Sequence, residues 1–136
     1  MFSVSAKSYY GLLALYELGR SHPGPPIQAK GICSAHGIPQ RYVEQLLLML
    51  KKAGFVKSYR GRDGGYALAL APGAIRVVDV LKCLEGEMSL ADRGRAGELD
   101  FFWNRVEREI QEVVAISLED LLLEKQRRDR KVDYNI

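Results

Sequence analysis

Two small sets of side chains in this sequence have the chemistry to grip and read a nucleic acid. The first is Gln40, Arg41, Tyr42, Glu44 and Gln45; the second is Arg60 and Arg62 on either side of Gly61. Arginine can fork onto guanine, glutamine onto adenine, and glutamate can accept a hydrogen bond from the cytosine amino group. A carboxylate such as Glu44 is repelled by phosphates unless it meets such an amino group. Tyr42 could reach a phosphate through its hydroxyl or simply shield a core. Around Gly61 the backbone is thin, which suits an arginine entering the narrow, strongly negative minor groove. Lys7, Tyr9, Lys51, Lys52 and Lys57 are further candidates for phosphate contact. Against these readings stand two plain ones: a solvated helix face, and a hairpin turn carrying solubilising charge.

Both sets fall in one stretch, Ile38 to Leu68, whose patterning says how they would be held. Val43, Leu46, Leu47 and Leu50 recur at the i, i+3, i+4, i+7 spacing of a helix with one buried face. Pro39 suits the first helical position, where its missing N–H would have had no partner. Lys51 and Lys52 complement the helix dipole in the last turn, and Gly54 is a natural stop. From Phe55 to Tyr59 the period changes to about two, a strand signal. Arg60-Gly61-Arg62-Asp63-Gly64-Gly65 turns the chain, and Tyr66 to Leu70 returns. Gly64 and Gly65 read as conformational, since a tight turn needs positive φ. Helix followed by basic hairpin is the outline of a winged helix.

Upstream, Ser5 suits the N-cap of a helix over 6–20, with Tyr10, Leu13, Ala14 and Leu18 on one face. His22-Pro23-Gly24-Pro25-Pro26 breaks it. A short helix over 28–36 follows, with Ile32 and Cys33 facing inward and Gly37 at its end. Two helices joined by a glycine-containing turn form a helix-turn-helix, whose second helix lies in the major groove. Downstream, Ala71-Pro72-Gly73 breaks the chain before a helix from Ile75 to Leu84. Residues 85–98 are polar and glycine-rich and read as a flexible loop. A long helix is expected from Leu99 to Ile116, with Phe102, Val106, Ile110 and Val113 as an apolar stripe. A chain this small cannot bury that stripe alone, so it reads as a dimer interface. Ser117 and Asp120 resemble a capping box for a last short helix through Leu123. The organisation expected is therefore a winged helix over 1–84, a loop over 85–98, dimerisation helices over 99–128 and a mobile tail over 129–136. The fold class is mostly α with a small β-hairpin.

Charge supports a phosphate partner for the first part. Residues 1–84 carry 11 Lys/Arg against 4 Asp/Glu (+7), and residues 85–136 carry 9 against 13 (−4). No apolar run approaches the ~18–20 residues needed to span a bilayer. The N-terminal residues lack the order of a secretory signal, so a cytoplasmic protein is expected. The two cysteines, Cys33 and Cys83, read as small core residues kept as thiols in a reducing compartment.

The run Arg41 to Ala69, RYVEQLLLMLKKAGFVKSYRGRDGGYALA, closely resembles the signature of the Rrf-two family of bacterial transcription regulators. The likeness extends to Ser5–Tyr10, to Val77–Leu81 and to Ile116–Leu121, nearly the whole chain. The resemblance implies a homodimeric winged helix on a palindromic operator, with a long C-terminal helix crossing to the partner subunit. It also implies a departure. Cluster-binding members carry three cysteines in the loop before the long helix, which ligate an iron–sulfur cluster. The corresponding loop here has none. The chain is thus expected to be a cluster-free member, with no cofactor and no metal site.

These observations favour a sequence-specific DNA-binding regulator, most simply a repressor. The alternative is a winged-helix module that docks to a metabolic enzyme, for which an arginine-tipped wing would be superfluous. An enzyme is not expected: no Ser/His/Asp or Cys/His set, phosphate loop or metal spacing is present, and His22 and His36 stand alone.

Overall fold

The structure is a computed structural model that describes residues 4–86 and 97–134. Helix α1 (Ala6–Arg20) is followed by α2 (Ala29–His36) and α3 (Gln40–Lys52), then by strands β1 (Val56–Tyr59) and β2 (Gly65–Leu68). A 3-10 turn at Pro72–Ala74 leads into α4 (Val77–Glu85). A second, Gly97–Leu99, leads into α5 (Asp100–Val114), and α6 (Leu118–Tyr134) follows. The fold is mostly helical with a two-stranded antiparallel hairpin, the winged-helix architecture expected from the patterning.

The core gathers one face from each of the first four helices. Ala14, Leu15 and Leu18 of α1, Ile32 of α2, and Val43, Leu46, Leu47 and Leu50 of α3 are buried together with Val80 and Leu84 of α4. The 3.6-residue period thus places the expected α3 positions inward. Pro39 sits one place earlier than expected, as the residue before the helix, with an extended ψ of 132°. The end of α3 follows from Gly54, whose φ of 90° only glycine adopts cheaply. There the Gly54 N–H donates to the Lys51 carbonyl and the Phe55 N–H to the Leu50 carbonyl, both at 3.0 Å. This paired closure satisfies two terminal carbonyls and aims the chain into β1.

Several expectations needed correction. Ser5 stands at the N-cap position of α1, but its side chain makes no capping bond. Instead its N–H (2.8 Å) and its hydroxyl both donate to the Glu85 carboxylate, and the buried Ser8 hydroxyl donates to the same oxygen at 2.7 Å. These bonds, Ser5 hydroxyl first, hold the Glu85 carboxyl below its ordinary pKa. The strands are shorter than read: Phe55, Ala69 and Leu70 lie outside them, although the Ala69 N–H still reaches the Phe55 carbonyl at 2.9 Å. Helix α4 begins at Val77, and Ile75 is buried in the connection before it. Helix α5 spans Asp100–Val114 and stops short of Ile116.

The last helix departs most from expectation. The chain expected to end its helix near Leu123 and to form a mobile tail from 129 is helical to Tyr134. The Ser117–Asp120 capping box starts it: the Asp120 N–H donates to the Ser117 hydroxyl and the Ser117 N–H to the Asp120 carboxylate, each at 3.0 Å. Ion pairs at i, i+4 spacing, Glu124–Arg128 (3.2 Å) and Lys125–Asp129, then carry the helix through its charged half. A two-residue ladder ties this region back to the winged helix. The Val77 N–H donates to the Ile116 carbonyl (2.9 Å) and the Leu118 N–H to the Ile75 carbonyl (2.8 Å). Leu118 is itself a member of the main core, so residues 4–86 do not complete that core alone. The expected loop over 85–98 lies mostly outside the described residues.

Candidate nucleic-acid interface

On α3 the buried stripe forces the remaining side chains outward. Gln40, Arg41, Glu44 and Gln45 are exposed, as are Lys51 and Lys52 one or two turns further on. Glu44 is not a free carboxylate: the Gln40 side-chain amide donates to it at 3.1 Å, one helical turn away. That bond offsets part of the repulsion a carboxylate would meet beside phosphates. Tyr42 is half-buried and packs edge-on against Tyr10, with ring centroids 5.7 Å apart. Its ring therefore shields the core, one of the two roles the sequence left open. Tyr9 is exposed and meets Tyr10 edge-on at 5.4 Å, while Lys7 is exposed in the first turn of α1.

The wing is held from below. Val56 pairs with Leu68 and Tyr59 with Gly65, leaving Arg60, Gly61 and Arg62 exposed at the tip. The sequence reading missed a third participant, Ile27, in the stretch that joins α1 to α2. Ile27 bridges Tyr66 in antiparallel fashion beside β2. Gly65 has a φ of 148°, and a Cβ there would lie 2.6 Å from the Ile27 carbonyl group. Only glycine admits this approach. The basic residues near the wing are partly occupied: Lys51 donates to the Ser58 hydroxyl at 2.6 Å, and the Lys57 ammonium lies 5.5 Å from the Tyr59 ring centre. Lys51 therefore links the end of α3 to β1 and stiffens the angle between helix and wing.

Helix and wing face the same side. Between them lies an open cleft of about 320 Å³, lined by Gln40 and Glu44 of α3, by Tyr59 and Gly61 of the wing, and by Gln28 and Lys30 at the start of α2. Gln28 and Lys30 were not singled out from sequence; their proximity to a turn before α2 was the only local signal. The arrangement presents exposed donors, acceptors and cations on α3 and at the wing tip, with a cleft between the two elements, groups suited to phosphate and base contacts.

The Cys33 and Cys83 thiols lie on different helices, each half-buried, and burial raises both pKa values, which keeps them as thiols. No group of three or more His, Cys, Asp or Glu poised for a metal occurs among the described residues. With only two cysteines in the sequence, three thiolate ligands cannot be assembled within one chain, so the residues present do not fit a three-thiolate cluster. On α5 no residue is buried: Phe101, Phe102, Trp103 and Val113 are exposed, and Val106 and Ile110 half-buried. Phe102 packs edge-on against Trp103, at 5.0 Å. No helix among the described residues is long and apolar enough to cross a membrane.

Comparison with known proteins agrees with this geometry. Residues 4–124 match the family described as "Rrf2: Iron-dependent Transcriptional regulator". The HTH-type transcriptional regulator CymR of Bacillus subtilis is 37% identical over 123 residues, which cover 87% of this chain and 88% of that protein. The structure of CymR, titled the global cysteine regulator of B. subtilis, superposes with a TM-score of 0.80 over 90% of this chain and 97% of that one, at 34% identity. IscR of T. potens follows at a TM-score of 0.78 and 36% identity, covering 91% and 88%. A winged helix with an exposed polar face on α3, an arginine-tipped hairpin and these relatives over almost its whole length belongs to the Rrf2 family of DNA-binding transcriptional regulators.

Proposed function

We propose that the protein is a repressor that binds a palindromic operator as a homodimer, in the cytoplasm and without an iron–sulfur cluster. Gln40, Arg41, Glu44 and Gln45 face the bases of the major groove, and Arg60 and Arg62 enter the flanking minor groove. Lys7, Tyr9, Lys52 and Lys57 meet phosphates, whereas Lys51 and Tyr42 chiefly position the helix. The observation that carries this reading is the shared orientation of α3 and the wing, which open onto one cleft. The uncovered apolar face of α5 supports the dimer, with Phe102, Val106, Ile110 and Val113 against the second copy. Two recognition helices related by a twofold axis would then address half-sites about one helical turn, ~34–36 Å, apart.

The test is a titration of duplex DNA selected from a random pool against an unselected duplex, with wild type and Arg41→Ala. Loss of about 1–3 kcal/mol on the selected duplex alone, with relaxed preference at one base pair, supports base reading. Equal loss on both duplexes overturns it.

A further inference from the structure

Leu48 is an apolar side chain in the middle of the face that α3 turns to solvent, and the core does not account for it. Its neighbours Leu46, Leu47 and Leu50 are buried, whereas Leu48 keeps 50% of its surface open. At about 100° per residue, Arg41, Leu48 and Lys52 fall within roughly 40° of one another on the helix. Leu48 thus stands between two cations, directly opposite the buried stripe. Gln40 and Glu44 lie toward the wing side of this line, where they border the cleft, and Tyr42 lies toward α1 against Tyr10. Whatever covers Arg41 and Lys52 must also cover Leu48.

An occupant of this strip must be anionic at its margins and apolar at its middle. The floor of a DNA major groove has both properties: phosphates line its walls, and the thymine C5-methyl is the one apolar group that its base edges present. We infer that Leu48 is a specificity-determining residue that packs on a thymine methyl in each half-site. It stands about 10 Å further along the helix axis than Arg41, so it addresses a different base pair. This inference rests on the DNA-binding reading above and adds a contact made by shape rather than by hydrogen bonds. Leu48 makes thymine preferable to cytosine at its position.

The experiment uses the full chain and a duplex selected from random DNA, with each thymine replaced in turn by deoxyuridine. That change deletes the methyl and leaves every hydrogen-bonding group in place. At one position per half-site wild type should bind about four-fold more weakly to the deoxyuridine duplex, equivalent to the ~0.8 kcal/mol of one buried carbon. Leu48→Ala should bind both duplexes equally, and Leu48→Met, which keeps the apolar reach, should retain the difference. Because Leu48 is half-exposed, both variants should melt with wild type, so the comparison is made on folded protein. Methyl-insensitive binding by wild type, or a difference that survives in Leu48→Ala, overturns the Leu48 contact alone. Failure to bind any duplex overturns the DNA-binding reading and this inference with it.

Discussion

Ile27 and Tyr66 exchange two backbone hydrogen bonds, the Ile27 N–H to the Tyr66 carbonyl at 2.8 Å and the Tyr66 N–H to the Ile27 carbonyl at 2.7 Å. Through this one rung the wing is fastened to the segment that joins α1 and α2. A lone two-stranded hairpin is marginal in water, so its orientation depends on such an attachment.

Gly65 is where the attachment is most easily broken. A methyl group there would meet the Ile27 backbone at 2.6 Å, at a φ of 148° that other residues rarely adopt. Gly65→Ala should cost about 1–3 kcal/mol of stability. It should also weaken binding to a selected duplex beyond what the melting shift explains. A variant that melts and binds like wild type would contradict the rung's role.

The wing arginines should act through phosphate-dense surroundings. Arg60→Ala with Arg62→Ala should lower affinity for selected and unselected duplexes alike. The slope of log affinity against log salt should become shallower by roughly 0.9 for each phosphate no longer neutralised. An unchanged slope would place both arginines outside the contact.

On α5, Ile110 sits half-buried in the stripe. Ile110→Asp puts a charge where a second copy would pack, and an unpaired buried charge is strongly unfavourable. Sedimentation at micromolar concentration should show a monomer, while the circular dichroism of the single chain stays helical. Persistence of a dimer would move the interface elsewhere.

Glu85 gives a pH dependence with a definite sign. Its carboxyl pKa is lowered by the Ser5 and Ser8 hydroxyls, so its contribution is full above the ordinary glutamate range. That contribution is lost as pH falls through the lowered value. Glu85→Gln should melt earlier than wild type at neutral pH, and the two curves should converge in acid. Parallel curves at all pH values would show that the Ser5–Glu85 contact contributes nothing.

What the sequence made legible was local. Helix α3, its closure at Gly54, the hairpin and the Ser117–Asp120 box are each written within a few residues, and the structure has them at or within a residue or two of the expected places. The exposed positions of Gln40, Arg41, Glu44 and Gln45 follow from the same 3.6-residue period that buries Leu46 and Leu50. What could not be read was non-local: the Ile27–Tyr66 rung and the Glu85 carboxylate beside Ser5 join residues 39 and 80 apart. No spacing rule connects such positions. The length of α6 is a different case: Glu124–Arg128 and Lys125–Asp129 are pairs visible in the sequence, but the apolar residues beyond Leu123 (Val132, Tyr134 and Ile136) are too sparse to mark a buried helical stripe. Likewise, the sequence offers Lys51 as a candidate for phosphate contact, and nothing in its spacing marks Ser58 as its partner across the α3–β1 junction.

Leu118 fills the winged-helix core from the far side of α5, and this bears on how the chain is made. A ribosome releases residues 4–86 first, yet the space that Leu118 occupies stays open until synthesis has passed it. The core beneath α3 and the wing is therefore complete only after α5 has also emerged. A nascent chain closes this core no earlier than the emergence of the exposed apolar residues of α5.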